Sequence, residues 1–278
     1  MKKIVSMMLA GMLLVAGLMT GCAQSGGGGA QSTVAPAATA KVLKVGAAVV
    51  PHAEILEFIK PKLRSEGVDL QVVVMDDEAQ LNPALNDKQI DANYFQHVPY
   101  LDSVSKEKGY NFTVATKVHI EPIGFYSQKI KSADEIKVGS TIAIPNNPSN
   151  EYRALVLLEN KGLLKLKAGI SNYQATPRDI IDNPKQLKFV EVEAPQLTRV
   201  LPDVNGAVIN TNYILDAKID PASALFRENA ESPYANIVVV RQGDENRDEI
   251  KKLDKALRSP EVKQFIQDTY KGAVVPAF

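Results

Sequence analysis

Residues 41–75 run strand, helix, strand, and no other stretch restricts the fold so strongly. Lys41 to Val50 is apolar and β-branched and reads as a buried first strand. Pro51-His52 breaks it. Ala53 to Leu63 then places apolar residues at 55, 56, 59 and 63, the stripe of a helix packed along one face. Pro61 predicts that this helix kinks or ends there. Gly67 leads into a second strand, Asp69 to Met75. Two strands joined by a helix favour a parallel sheet with helices laid against it, an α/β fold.

The pattern continues along the chain. Asn82 to Gln89 reads as a short helix, Leu101 to Lys108 as a helix stopped at Gly109, and Phe112 to Val118 as a strand. His119-Ile120-Glu121-Pro122-Ile123-Gly124 reads as a crossover or hinge, because Pro and Gly interrupt it. Thr141 to Ile144 is a short buried strand. Asn147 then fits a helix N-cap and Pro148 the first turn of a helix that runs to Asn160. Gly162 to Lys188 reads as loop, short helix and loop. Leu187 to Val192 is a strand, Ala194 to Leu201 a short helix, and Val208-Ile209 a buried strand end. Glu231-Ser232-Pro233-Tyr234 is a second punctuated crossing, before the β-forming run Ala235 to Val240 and two terminal surface helices. Two crossings suggest a middle lobe, 126–231, inserted into an outer lobe made of 41–125 plus 232–278.

Three features carry chemistry. Asp91 to Leu101 (DANYFQHVPYL) packs Tyr94, Phe95, His97 and Tyr100 into one short stretch. Aromatic faces give large apolar area with polar tips that fix orientation, which suits a small molecule apolar at one end and polar at the other. The same stretch also reads as a strand end whose rings fill a core. Arg153 lies about one turn into the helix after Asn147. A guanidinium beside a helix N-terminus makes a carboxylate site, although a surface ion pair uses the same residue. Asn210 stands at the C-terminal tip of a strand, where ligands gather in open α/β sheets, and its carboxamide can both accept and donate. A plain turn asparagine would look the same.

The N-terminus bears on location. Lys2 and Lys3 precede the apolar run Ile4 to Thr20, about the length of a signal-peptide core. Met19-Thr20-Gly21-Cys22 closes it and resembles the lipobox of bacterial lipoproteins. That resemblance implies cleavage after residue 21, acylation of Cys22, and anchoring to a lipid bilayer without spanning it. Gln24 to Ala40 is rich in Gly, Ala, Ser, Gln and Thr and reads as a flexible linker, reaching on the order of 20–25 Å.

These stretches together resemble the NlpA family of lipoproteins, the methionine-binding proteins of bacterial ABC importers. The resemblance rests on DANYFQHVPYL (91–101), PIGFYS (122–127), IPNNPSNEYRA (144–154), EAPQL (193–197), AVINTNY (207–213) and Ser232-Pro233-Tyr234. Asn147 departs from the family's frequent Asp, and His119-Ile120-Glu121 is a segment that varies within it. The resemblance implies a two-lobed periplasmic-binding-protein fold, type II-like, each lobe a mixed sheet flanked by helices, with the ligand in the cleft. It places the carboxylate-binding arginine on Arg153 and the asparagine that contacts the amino-acid backbone on Asn210. It places the ligand-lining residues on Tyr94, Phe95 and His97, with His119, Asn146 and Asn150 beside them. It implies no cofactor. Its partners are methionine, or another small apolar amino acid or a methionine-containing dipeptide, and the permease and ATPase subunits of an importer. The protein would face outward from the cell membrane.

Composition and motifs narrow the alternatives. Thirty-two basic and 32 acidic residues cancel, where a nucleic-acid binder carries a basic excess. A single cysteine permits neither an internal disulfide nor a cysteine zinc cage. His52, His97 and His119 could together hold zinc, yet there is no His-rich or acidic loop to accompany them. Hydrolase signatures of the Gly-x-Ser-x-Gly or His-Glu-x-x-His kind are absent. His52-Ala53-Glu54 lacks the Pro-Cys-x-x-Cys that a deaminase needs, so an enzyme is not expected.

Overall fold

The computed structural model describes residues 40–170, 173–229 and 232–278. The signal segment, Cys22 and the linker up to residue 39 lie outside the described residues. The chain begins β1 (Lys41–Ala47), α1 (Glu54–Ser65), β2 (Val68–Val74), α2 (Leu81–Asn86), β3 (Ala92–His97), α3 (Val98–Lys108) and β4 (Phe112–Ile120). It continues through β5 (Gly124–Tyr126), β6 (Thr141–Pro145), α4 (Pro148–Asn160), β7 (Lys165–Leu166), β8 (Ile180–Asp182), β9 (Lys188–Val192), α5 (Leu197–Val200), β10 (Gly206–Ile209), α6 (Thr211–Asp216) and β11 (Phe226–Arg227). It closes with β12 (Ala235–Arg241), α7 (Asp248–Leu257), α8 (Pro260–Tyr270) and β13 (Val275–Pro276).

Two mixed sheets result. The first has the order β13-β4-β12-β3-β1-β2, with β1 parallel to β2 and β3, and β12 antiparallel to both β3 and β4. The returning strand β12 therefore sits in the middle of a sheet begun nearly two hundred residues earlier in the chain. The second sheet has the order β11-β5-β10-β6-β9, parallel through β10-β6-β9 and antiparallel at β5 and β11. Both belong to one compact unit, Ala38–Phe278.

Period-two alternation explains why whole strands read as apolar runs. Along β12, Val238 and Val240 enter the core built with α1, α7 and α8, while Ile237 and Val239 enter the core on the opposite face with α2 and α3. In the second sheet Ile142, Ile144 and Val208 face α4, and Ala143, Ala207 and Ile209 face α5 and α6.

Four expectations need correction. The first helix does not stop at Pro61; α1 runs on to Ser65, because Ile55, Leu56, Ile59 and Leu63 are buried on both sides of the proline. Gly124 to Tyr126, read as hinge, is β5, so the chain has joined the second sheet before the expected change of lobe at 126. Among the described residues, 162–188 contain a two-stranded antiparallel ribbon, β7 with β8, and a three-residue helical turn at Pro177–Asp179. The tail adds β13 to the first sheet at β4.

Candidate functional site

Strand ends build the site. A cleft enclosing about 770 Å³, its open mouth included, lies beyond the C-terminal ends of β2, β3, β6, β9 and β10. The first sheet's side contributes Asp77, Glu78, Ala79, Phe95, Gln96, His97, Tyr100 and Asn236. The second contributes Asn147, Asn150, Arg153, Glu193, Ala194, Pro195, Asn210, Asn212 and Tyr213, and Glu121 comes from the crossing between them.

Helix ends set the polar geometry. His97 ends β3 and caps α3, its Nδ1 accepting the Tyr100 N–H at 3.2 Å. That leaves the ring proton on Nε2, which donates to Asn150 Oδ1 at 3.1 Å across the cleft. Burial pushes His97 down to about 3, so the ring is neutral at pH 7. Asn147 caps α4 as expected, its Oδ1 accepting the Asn150 N–H at 3.1 Å, with Pro148 in the first turn. Asn210 Nδ2 donates to the same Asn150 Oδ1 at 3.1 Å. Asn210 Oδ1 is buried with no hydrogen-bond partner among the described residues, an idle acceptor in the cleft wall.

Arg153 is held rather than free. Its Nε donates to Glu228 at 3.1 and 3.3 Å, and Nη2 donates to Glu228 and, at 2.7 Å, to the Glu121 carbonyl. The Tyr234 ring lies 4.3 Å from the guanidinium carbon. Only Nη1 makes no hydrogen bond within the described residues.

Five of the expected residues share the cleft: Phe95, His97, Asn150, Arg153 and Asn210. Three do not line it. Tyr94 is fully buried in the first core, its hydroxyl on His119 Nδ1. His119 is likewise fully buried and reaches the cleft only through Glu121, to which Nε2 donates at 2.7 Å. Asn146 lies outside the wall, its Nδ2 donating to Glu193 at 2.8 Å.

The three histidines do not converge either. His97 stands apart, while His52, His119 and Glu121 bring possible ligand atoms within 4.8 Å of one another. Those atoms are already engaged: His52 Nε2 with Asn236 Oδ1 at 3.0 Å, and His119 Nε2 with Glu121. Burial holds His52 at about 4 and His119 at about 3, and pushes the Glu121 carboxyl up against the opposing pull of His52, the Asn212 amide and Arg153.

The comparisons with known proteins agree with one another. A family model described as NlpA lipoprotein matches residues 43–278. The chain belongs to the NlpA lipoprotein family. This NlpA lipoprotein is 40% identical over 271 residues to the methionine-binding lipoprotein MetQ of Bacillus subtilis (strain 168), covering 95% of this chain and 96% of that one. It is 41% identical over 237 residues to the D-methionine-binding lipoprotein MetQ of Salmonella typhi, covering 84% and 87%. Its fold matches a solved nutrient binding protein from Burkholderia cenocepacia bound to methionine, with a TM-score of 0.82 and 46% identity over 85% of this chain and all (100%) of that one. The type II-like fold and the family expected from the motifs therefore hold.

Sequence reasoning passed over several residues of this NlpA cleft. Glu228 pairs with Arg153 from 75 positions away, which no local pattern signals. Asn236, the second residue of β12, lies at the cleft and looks like an ordinary polar residue in a strand. Glu78 accepts from Asn212 Nδ2 at 2.7 Å and from the Tyr213 hydroxyl at 2.9 Å, joining the two sides of the cleft. Glu121 sat inside a segment read as hinge.

Proposed function

We propose that this NlpA lipoprotein is a membrane-anchored substrate-binding protein that captures methionine and delivers it to the permease and ATPase subunits of an ABC importer. The observation that carries the reading is the match, over 85% of the chain, to a structure holding methionine, together with a cleft at this chain's own strand ends. The protein acts by binding and release and performs no chemical step. Its anchor is acylated Cys22, on the outer side of the cell membrane, with the linker as tether. The part built on the first sheet and the part built on the second, which begins with β5, act as two lobes that close on the ligand.

The roles follow from the groups the cleft leaves available. Arg153 Nη1, beside the N-terminus of α4, takes the ligand carboxylate. Asn210 Oδ1, idle and buried, accepts from the ammonium. Phe95 and His97 wall the thioether side chain, whose sulfur packs well at ring edges. Burying that side chain contributes roughly 1.5–3 kcal/mol. Tyr94 and His119 stand behind this wall and hold Glu121.

Isothermal titration calorimetry with L- and D-methionine tests the reading. Arg153→Ala and Asn210→Ala each weaken binding at least about tenfold, the effect of one charge-assisted contact. Undiminished affinity in both variants would move the ligand elsewhere.

A further inference from the structure

The cleft contains a buried carboxyl that no cation of the described residues pairs with. Glu121 is 5% exposed, and both carboxylate oxygens act as acceptors. Oε2 accepts the Asn212 N–H at 2.8 Å, and Oε1 accepts from His119 Nε2 at 2.7 Å. The proton assignment is settled by Tyr94, whose hydroxyl donates to His119 Nδ1 and finds no other partner among the described residues. His119 therefore carries its single proton on Nε2, toward Glu121. Two donors aimed at its two oxygens favour the ionised form.

No charged neighbour pairs with its carboxyl among the described residues. The ion-pair contacts of Glu121 are with His52 at 3.4 Å and His119 at 2.7 Å alone among the described residues. Both imidazoles are neutral at pH 7, held low by burial. Arg153 touches the Glu121 backbone carbonyl, and its charge is matched by Glu228. The cleft wall adds Asp77 and Glu193, with Arg153 as its one guanidinium. A buried carboxylate without a cation is strongly unfavourable unless something supplies one.

We infer that Glu121 is the counter-ion for the ligand's ammonium group, and that the cleft selects for a free α-ammonium more strictly than for a free α-carboxylate. The inference rests on the amino-acid reading of the cleft. Glu121 and the idle Oδ1 of Asn210 together form the ammonium subsite. Two donors fix Glu121 in place, His119 and the Asn212 amide, and Tyr94 holds His119 from behind.

The test compares three ligands on wild type and Glu121→Gln by competition calorimetry. Methionine carries both charges, methioninamide lacks the carboxylate charge, and 3-(methylthio)propionate lacks the ammonium. In wild type, loss of the ammonium weakens binding at least about a hundredfold and neutralising the carboxylate about tenfold or less. In Glu121→Gln, methionine weakens at least about tenfold, and the gap between methionine and 3-(methylthio)propionate narrows by a similar factor. An unchanged gap overturns the assignment, since a purely structural role would weaken all three ligands alike. If Glu121→Gln does not fold, Glu121→Asp, which keeps the charge, must retain the ammonium preference. Stoichiometric zinc in the purified protein also overturns it, because a metal at His52, His119 and Glu121 would supply the missing charge. Wild type that ignores all three ligands removes methionine as the ligand. The Glu121 assignment is then decided by the same titration with other free amino acids against their desamino analogues.

Discussion

Arg153→Ala should destabilise the protein as well as weaken binding, and the two effects can be measured apart. The Arg153 side chain is 2% exposed and its partner Glu228 is 17% exposed. Removing one member of a buried ion pair costs about 3–5 kcal/mol, because the other charge is stranded. Partial solvent access at Glu228 trims that to about 2–4 kcal/mol. The Glu121 carbonyl loses a donor at 2.7 Å, worth about 1 kcal/mol. A net loss of about 4 kcal/mol in a domain of this size lowers Tm by about 8–16 °C. Differential scanning calorimetry without ligand measures it. The double variant Arg153→Ala/Glu228→Ala strands no charge and should recover much of the loss. A Tm for Arg153→Ala within about 2 °C of wild type would refute the claim that this pair is a buried, coupled unit.

Three further outcomes are expected. Burial, against the opposing pull of the Tyr213 hydroxyl, pushes the Glu78 carboxyl up from 4.5 to about 8. The folded protein thus holds that proton more tightly than the unfolded chain, and stability falls as pH rises from about 4.5 to about 8. Glu78→Gln removes this slope, so urea melts at acid and alkaline pH should show the variant gaining on wild type as pH rises; parallel curves would contradict it. In Gly206→Ala the new methyl would sit 2.2 Å from Phe125 Cζ, in a ring that is fully buried and stacked on Phe226 at 4.8 Å. The expected loss is about 1–3 kcal/mol in a denaturant melt, and an unchanged midpoint would mean that the rings shift freely. Cys22→Ser should abolish acylation and move the mature protein from the membrane fraction to the soluble fraction; continued membrane retention would point to another anchor.

What the sequence revealed tracks the range of the interactions. β1, α1 and β2 were legible because burial on one or both faces writes its own period into the residues. The α4 N-terminus was legible because Asn147 and Pro148 satisfy local backbone needs. Strands of two or three residues, such as β5, β11 and β13, are too short to show alternation and exist because a neighbouring strand pairs with them. The site divides along the same line. Arg153 and Asn210 stand near helix and strand ends, where local signals put them, and Phe95 and His97 lie in the aromatic stretch, while Asn150 was expected only from the family resemblance. Tyr94 was misplaced because Tyr94 and Phe95 face opposite sides of β3, and only the packing of both cores decides which side meets the cleft. Glu228 and Asn236 reach the site through long-range folding that leaves no local mark.

Native mass spectrometry of protein purified gently from cells grown with methionine tests the central claim most directly. The account predicts a folded species heavier by one methionine, released on denaturation and restored by adding the amino acid back. A protein that carries no ligand, and that gains none from either L- or D-methionine, would contradict it.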